Sequence, residues 1–208
     1  MDAITLRGSG ITKEFNRRVV FERMHFTLSS PGSLSITGRN GAGKSTLIRI
    51  IAGTLLPTAG RVEWIVDGSP VGHERRRRLI GFVSPYLNLY EEFTALENLI
   101  LLSRIRGTKA TADECKAALD SVGLRREQND PVRTFSSGMK QRAKYAFALL
   151  HNPGVLLLDE PTANLDGEAI RFVRKVVLQQ KRTGILIVAS NDAREAAWCD
   201  NSIALGER

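Results

Sequence analysis

"GRNGAGKST", residues Gly38–Thr46, is the stretch on which the reading of this chain turns. It follows a short run, "GSLSITG", that reads as a strand ending in glycine. It opens "KSTLIRIIAG", which reads as a helix stopped by Gly53. The residues fit the pattern G-x-x-x-x-G-K-[ST], with Gly38, Gly43, Lys44 and Ser45 at its fixed places, and the strand–loop–helix setting is the one that pattern requires. The glycines let the backbone N–H groups of Arg39, Asn40, Gly41 and Ala42 curl around phosphate. Lys44 is suited to neutralise the β and γ oxygens. The Ser45 hydroxyl is suited to hold Mg²⁺, with Thr46 following it at the helix start.

Further along, "VLLLDEP" supplies a partner for this loop. An apolar strand carries Asp159 and Glu160 to its carboxyl end, where ligands of open α/β sheets bind. Asp159 is expected to hold the metal through water, and Glu160 to polarise an attacking water as general base. "VLLLDE" and "ILIVAS" are continuous apolar runs, as parallel strands covered on both faces are. With "GEAIRFVRKVVLQQ" between them they make a βαβ unit.

The rest of the chain reads as an α/β protein in one domain. Roughly the first 35 residues, "VVFERMHFTL" above all, alternate as antiparallel strands do, and "GRVEWIVDG" and "LIGFVSP" are further strands. From about Thr94 to Leu150 the pattern is helical. "TALENLILLSRIRG" and "TADECKAALDSVG" each begin with a threonine followed three residues on by glutamate, a capping box, and end at glycine. The run from Gly138 to His151 places Met139, Ala143, Ala146, Phe147 and Leu150 on one helical face. A catalytic core over about 1–85 and 152–208, with a helical subdomain over about 86–151, is the expected division.

Composition narrows the class. The chain has 208 residues, 42% hydrophobic and 25% charged, as soluble globular proteins have. No apolar run approaches the ~18 residues of a membrane helix, and "MDAITLRG" does not read as a signal peptide. Cys115 and Cys199 are far apart and read as free thiols. A net charge of +8 fits nucleic acid, an anionic surface or a phosphate-bearing ligand. "RRRR", Arg75–Arg78, reads as a solvated turn or as a contact with lipid headgroups or an acidic partner. It lacks the aromatics that stack bases. His25, His73 and His151 receive no role.

"TFSSGMKQR", Thr134–Arg142, resembles a second anion-binding helix start, with Ser136 as cap. Lying shortly upstream of "LLLDEPTANLD", it makes the whole chain resemble the ATP-binding subunits of ABC transporters, P-loop NTPases with a RecA-like mixed-sheet core. The resemblance implies several roles. Ser136, Ser137, Gly138 and Met139 would form the signature loop, which binds the γ-phosphate of ATP held by a second copy in a head-to-tail dimer. Ser137 and Met139 depart from the usual glycine and glutamine. Asp166 would belong to the loop that couples the two sites, and Phe15 would either stack on adenine or sit buried in its strand. Ser84 and Asn191 stand where the family usually has glutamine and histidine. Both departures fall on hydrolysis and leave slow turnover open. The resemblance further implies ATP and Mg²⁺ as cofactors, a separate transmembrane subunit, and a place on the cytoplasmic face of the membrane. "YLNLYEEFTALENL" would either receive that subunit or pack within the helical part. A cassette like the haem exporters of cytochrome c maturation fits the size. Nucleic acid or ribosomes are the alternative partners, disfavoured because such proteins carry two cassettes or a long insertion. A slow nucleotide switch is the other alternative.

Overall fold

The computed structural model describes residues 2–163 and 165–206. Nine strands are described, β1 (Ile4–Phe15), β2 (Arg18–Ser29), β3 (Gly32–Thr37), β4 (Ala59–Val66), β5 (Ser69–Pro70), β6 (Ile80–Val83), β7 (Val155–Asp159), β8 (Ile185–Ala189) and β9 (Asn201–Ala204). The α-helices are α1 (Lys44–Ile51), α2 (His73–Leu79), α3 (Ala95–Arg106), α4 (Ala112–Ser121), α5 (Ser137–Leu149), α6 (Gly167–Thr183) and α7 (Ala193–Ala196).

The strands form two sheets. One has the order β2-β1-β4-β5 and is antiparallel; the other has the order β6-β7-β8-β3-β9 and is parallel in each described pairing. The expected mixture of directions is therefore divided between two sheets. Loop length is the physical reason: β1 and β2 are joined by Asn16-Arg17 alone, both at positive φ, a primed two-residue turn that permits only an antiparallel return.

Strand periodicity explains the continuous apolar runs. Val155 and Leu157 of β7, with Ile185, Ile187 and Ala189 of β8, join a core with α1 and the antiparallel sheet. Leu156 and Leu158, with Leu186 and Val188, point the other way into a core shared with α3, α4, α5 and α6. Both faces of these strands are covered, so both parities are apolar.

The capping boxes are present at Thr94 with Glu97 and at Thr111 with Glu114, and Gly107 closes α3 in the left-handed region. Arg75–Arg78 differ from expectation: they lie within helix α2 rather than a turn. Arg76 donates through Nε to Val71 O at 3.0 Å and Arg77 through Nη2 to Ile105 O at 3.4 Å, so carbonyls outside the helix hold two of the four arginines.

Candidate functional site

Register brings the chemistry to one end of the parallel sheet. Ile36 of β3 and Asp159 of β7 both stand level with Ala189 of β8, so the segments that follow all three strands emerge side by side. The phosphate loop follows β3, Glu160 follows β7, and Ser190-Asn191 follows β8.

The loop takes the expected form. Gly38, Gly41 and Gly43 have φ of 142°, 82° and 102°. At Gly43 a Cβ would come within 2.4 Å of Val20 Cγ1. Both backbone angle and space therefore exclude a side chain there. Lys44 is buried, and its Nζ donates to Gly38 O at 3.0 Å and Arg39 O at 3.4 Å. It also forms an ion pair with Glu160 Oε1 at 3.4 Å.

Ser45 Oγ donates to Asp159 Oδ1 at 3.0 Å. Burial raises the Asp159 carboxyl above the usual carboxylate range, against the Ser45 hydrogen bond, which lowers it. Asp159 Oδ2 is buried and has no hydrogen-bond partner. Glu160 has φ of 48°, the left-handed region that glutamate rarely visits, and its N–H donates to Ala189 O at 2.8 Å. Ser190 Oγ lies 3.5 Å from Glu160 Oε2.

A cleft of about 740 Å³ opens over these groups. Asn40, Gly41, Gly43, Lys44, Ser45, Thr46 and Glu160 line one part of it, and Phe15, Arg18, Val19 and Val20 another. Gly38, Arg39 and Ala42 belong to the same loop but are not among the residues lining the cleft. Phe15 is 47% exposed, which decides against a buried strand aromatic. Asn191 Nδ2 donates to Asn40 Oδ1 at 2.9 Å, so the residue after β8 reaches the loop. Ser84 does not line the cleft; it is buried at the end of β6, its carbonyl accepting from Leu87 N at 3.1 Å.

The Ser136 helix start lies elsewhere. Ser136 caps α5, its Oγ accepting from Met139 N at 3.2 Å. Ser136, Gly138, Met139, Arg142, Asp166 and Glu168 line a second hollow of about 220 Å³. No residue lines both hollows. Asp166 caps α6 by accepting from Ala169 N at 2.8 Å, and a Cβ on Gly138 would stand 3.7 Å from its Oδ2. Ser137 is the first residue of α5, and Met139 packs partly into the helical core. Asn164, beside Asp166, lies outside the described residues.

Sequence reasoning missed Arg18, Val19, Val20 and Tyr86 on the cleft wall. Arg18 stands opposite Phe15 across the β1–β2 hairpin, and the two-residue turn was a signal that could have found it. It also missed Glu195, buried in α7, which accepts from Thr162 N at 3.1 Å and from the Thr162 hydroxyl. A glutamate inside "AREAAW" gives little sign of burial.

The family model described as ABC transporter matches residues 21–163. The cytochrome c biogenesis ATP-binding export protein CcmA of Pseudomonas aeruginosa is 32% identical, over 91% of this chain and 93% of that protein. The lipoprotein-releasing system ATP-binding protein LolD of Hydrogenovibrio crunogenus is 33% identical, over 100% of this chain and 96% of that protein. The linearmycin resistance ATP-binding protein LnrL of Bacillus subtilis is 32% identical, but the chain spans only 62% of its length. Among solved structures, the dimeric post-hydrolysis state of the ATP-binding cassette MJ0796 bound to ADP and Pi matches with a TM-score of 0.83 and 26% identity, over 96% of this chain and 94% of that one. A cassette bound to nucleotide thus shares this fold from end to end. The chain belongs to the ABC transporter family, as one of its ATP-binding subunits.

Proposed function

We propose that the chain binds MgATP in the cleft over Lys44 and hydrolyses it as a head-to-tail dimer, driving transport by a separate membrane subunit. One observation carries this reading. The Ser136 helix start and the Lys44 loop are both built for phosphate, yet they line different hollows. A second copy, turned end for end, would set each helix start against the other's nucleotide. That the similar cassette MJ0796 is dimeric with ADP and Pi bound supports a dimer here.

The donor set fits a hard cation: the Ser45 hydroxyl, and a buried Asp159 whose Oδ2 lacks a partner. Mg²⁺ held there would neutralise the β and γ oxygens. Lys44 divides its Nζ among Glu160 and two carbonyls, so an arriving γ-phosphate competes for it and loosens Glu160. The freed carboxylate orients a water. That oxygen bonds to the γ-phosphorus, the bond to the β–γ bridging oxygen breaks, ADP leaves, and Glu160 takes the water's proton. Asn191 donates a hydrogen bond but carries no charge, and the buried Ser84 leaves that position silent, which favours slow turnover.

No described helix is long and apolar enough to cross a membrane. In this reading the route across belongs to the partner, and the chain sits on the cytoplasmic face. Tyr90, Phe93 and Ile105 are 50%, 42% and 59% exposed and belong to the segment that would receive it.

Size-exclusion chromatography of Glu160→Gln tests the reading. MgATP should convert this variant from monomer to a stable dimer, and ADP should not. Unchanged hydrolysis in the variant would remove Glu160 from the mechanism. Recovery of ribosomal RNA, in place of a multi-span protein, on purification from native membranes would overturn the transport assignment.

A further inference from the structure

Tyr86 carries a hydroxyl that the reaction described above does not use. It is 72% exposed, yet it lines the same cleft as Lys44, Ser45 and Glu160. Its position follows from the chain around it. Ser84, Pro85, Tyr86 and Leu87 form a β-turn closed by Leu87 N–H donating to Ser84 O at 3.1 Å. Proline, with φ preset, stands second in the turn, where it is favoured, and Tyr86 stands third. The turn begins at the end of β6, whose Val83 pairs with Leu158 of β7. Tyr86 therefore enters the cleft from the side of Asp159 and Glu160. The Phe15 wall enters from the antiparallel sheet.

The segment beyond the turn is fastened. Asn98 of α3 is fully buried; its Oδ1 accepts from Tyr90 N at 2.7 Å, and its Nδ2 donates to Tyr90 O at 2.9 Å and Thr94 O at 2.9 Å. Leu89 is buried as well. The turn is thus held at both ends, by β6 before it and by Asn98 after it. Within it Pro85 has no N–H, the Leu87 N–H is used, and Ser84 is buried. The Tyr86 hydroxyl is the side-chain donor this turn offers to the cleft.

We propose that the Tyr86 hydroxyl donates a hydrogen bond to a γ-phosphate oxygen of the bound nucleotide, and so makes the cleft prefer ATP to ADP. This rests on the nucleotide reading of the cleft. A phenol suits this role. Its hydroxyl stands beyond the ring, farther from the backbone than a serine's, and a hydrogen bond to an ionised oxygen is stronger than a neutral one.

Competition of MgATP and MgADP against a fluorescent nucleotide tests it in the full-length chain. Tyr86→Phe should bind ADP as the parent does and lose about tenfold in ATP affinity, the size expected for one hydrogen bond to a charged group. Turnover at limiting ATP should fall with it. If Tyr86→Phe keeps the parental preference for ATP, the proposal is overturned. The same holds if only Tyr86→Ala has an effect and weakens both nucleotides equally, because the ring and not the hydroxyl then matters. A parent that binds ATP without hydrolysing it would overturn the hydrolytic reading, and the affinity ratio would still decide Tyr86. A parent that binds neither nucleotide would overturn both.

Discussion

His151 lies where α5, α3 and β6 meet. Its Nε2 is 3.0 Å from Ile80 O and its Nδ1 2.8 Å from Arg106 Nη1. The neutral ring satisfies both contacts by donating from Nε2 and accepting at Nδ1. Burial first, and the Arg106 charge second, push its pKa from 6.5 down to about 4. Between these values the unfolded chain takes up a proton that the folded chain refuses. Stability is therefore whole above pH 6.5 and falls as pH drops towards 4. At pH 5 the loss should be on the order of 2 kcal/mol. Urea midpoints at pH 7 and pH 5 measure it, and His151→Gln should shrink the difference between them. Nothing in the sequence announced this residue. "LLHNP" shows a histidine at a helix end, and only the tertiary approach of Arg106 gives it a consequence.

At the scale of elements, what was legible was local. The boxes at Thr94 and Thr111 depend on residues three apart, and both formed; each threonine Oγ1 accepts from the glutamate N–H at 3.1–3.2 Å. Thr94→Ala should destabilise by about 1 kcal/mol, which lowers the melting temperature by about 2–4 °C in a chain of this size; thermal unfolding followed by circular dichroism checks it. The α2 helix was not legible, because four consecutive arginines show no apolar period, and two of them are satisfied by carbonyls of Val71 and Ile105. The same reason hid the cleft wall. Asn40, Lys44 and Glu160 belong to recognisable motifs. Arg18 and Tyr86 reach the cleft because of which strand lies beside which. Ser84 was expected there from its place in the chain, but the turn it begins buries it and presents Tyr86 instead.

At the scale of the whole molecule, the separation of the two helix starts proposed to face phosphate becomes a test of assembly. A Cβ on Gly138 meets nothing closer than 3.7 Å, and φ there is not in the left-handed region, so a side chain can be accommodated. Gly138→Asp adds a negative charge in the first turn of α5, which favours the helix, but it stands beside the Asp166 carboxylate, which opposes it, and it repels any phosphate brought there. The variant should still unfold in one cooperative thermal transition and bind MgATP with parental affinity. Combined with Glu160→Gln, it should abolish the ATP-dependent dimer seen by size exclusion. A dimer that persists would mean that the two copies meet through another face.

The left-handed backbone at Glu160 bears on how such a protein can change over time. A glutamate at φ of 48° costs the fold something that glycine or asparagine would not, and the hydrogen bond to Ala189 holds it there. Selection for thermal robustness alone would favour replacing the side chain, and, if Glu160 is the base proposed above, selection for turnover would oppose it. Position 160 is thus a place where lineages that keep the cassette as a working engine should diverge from lineages that retain it only as a scaffold.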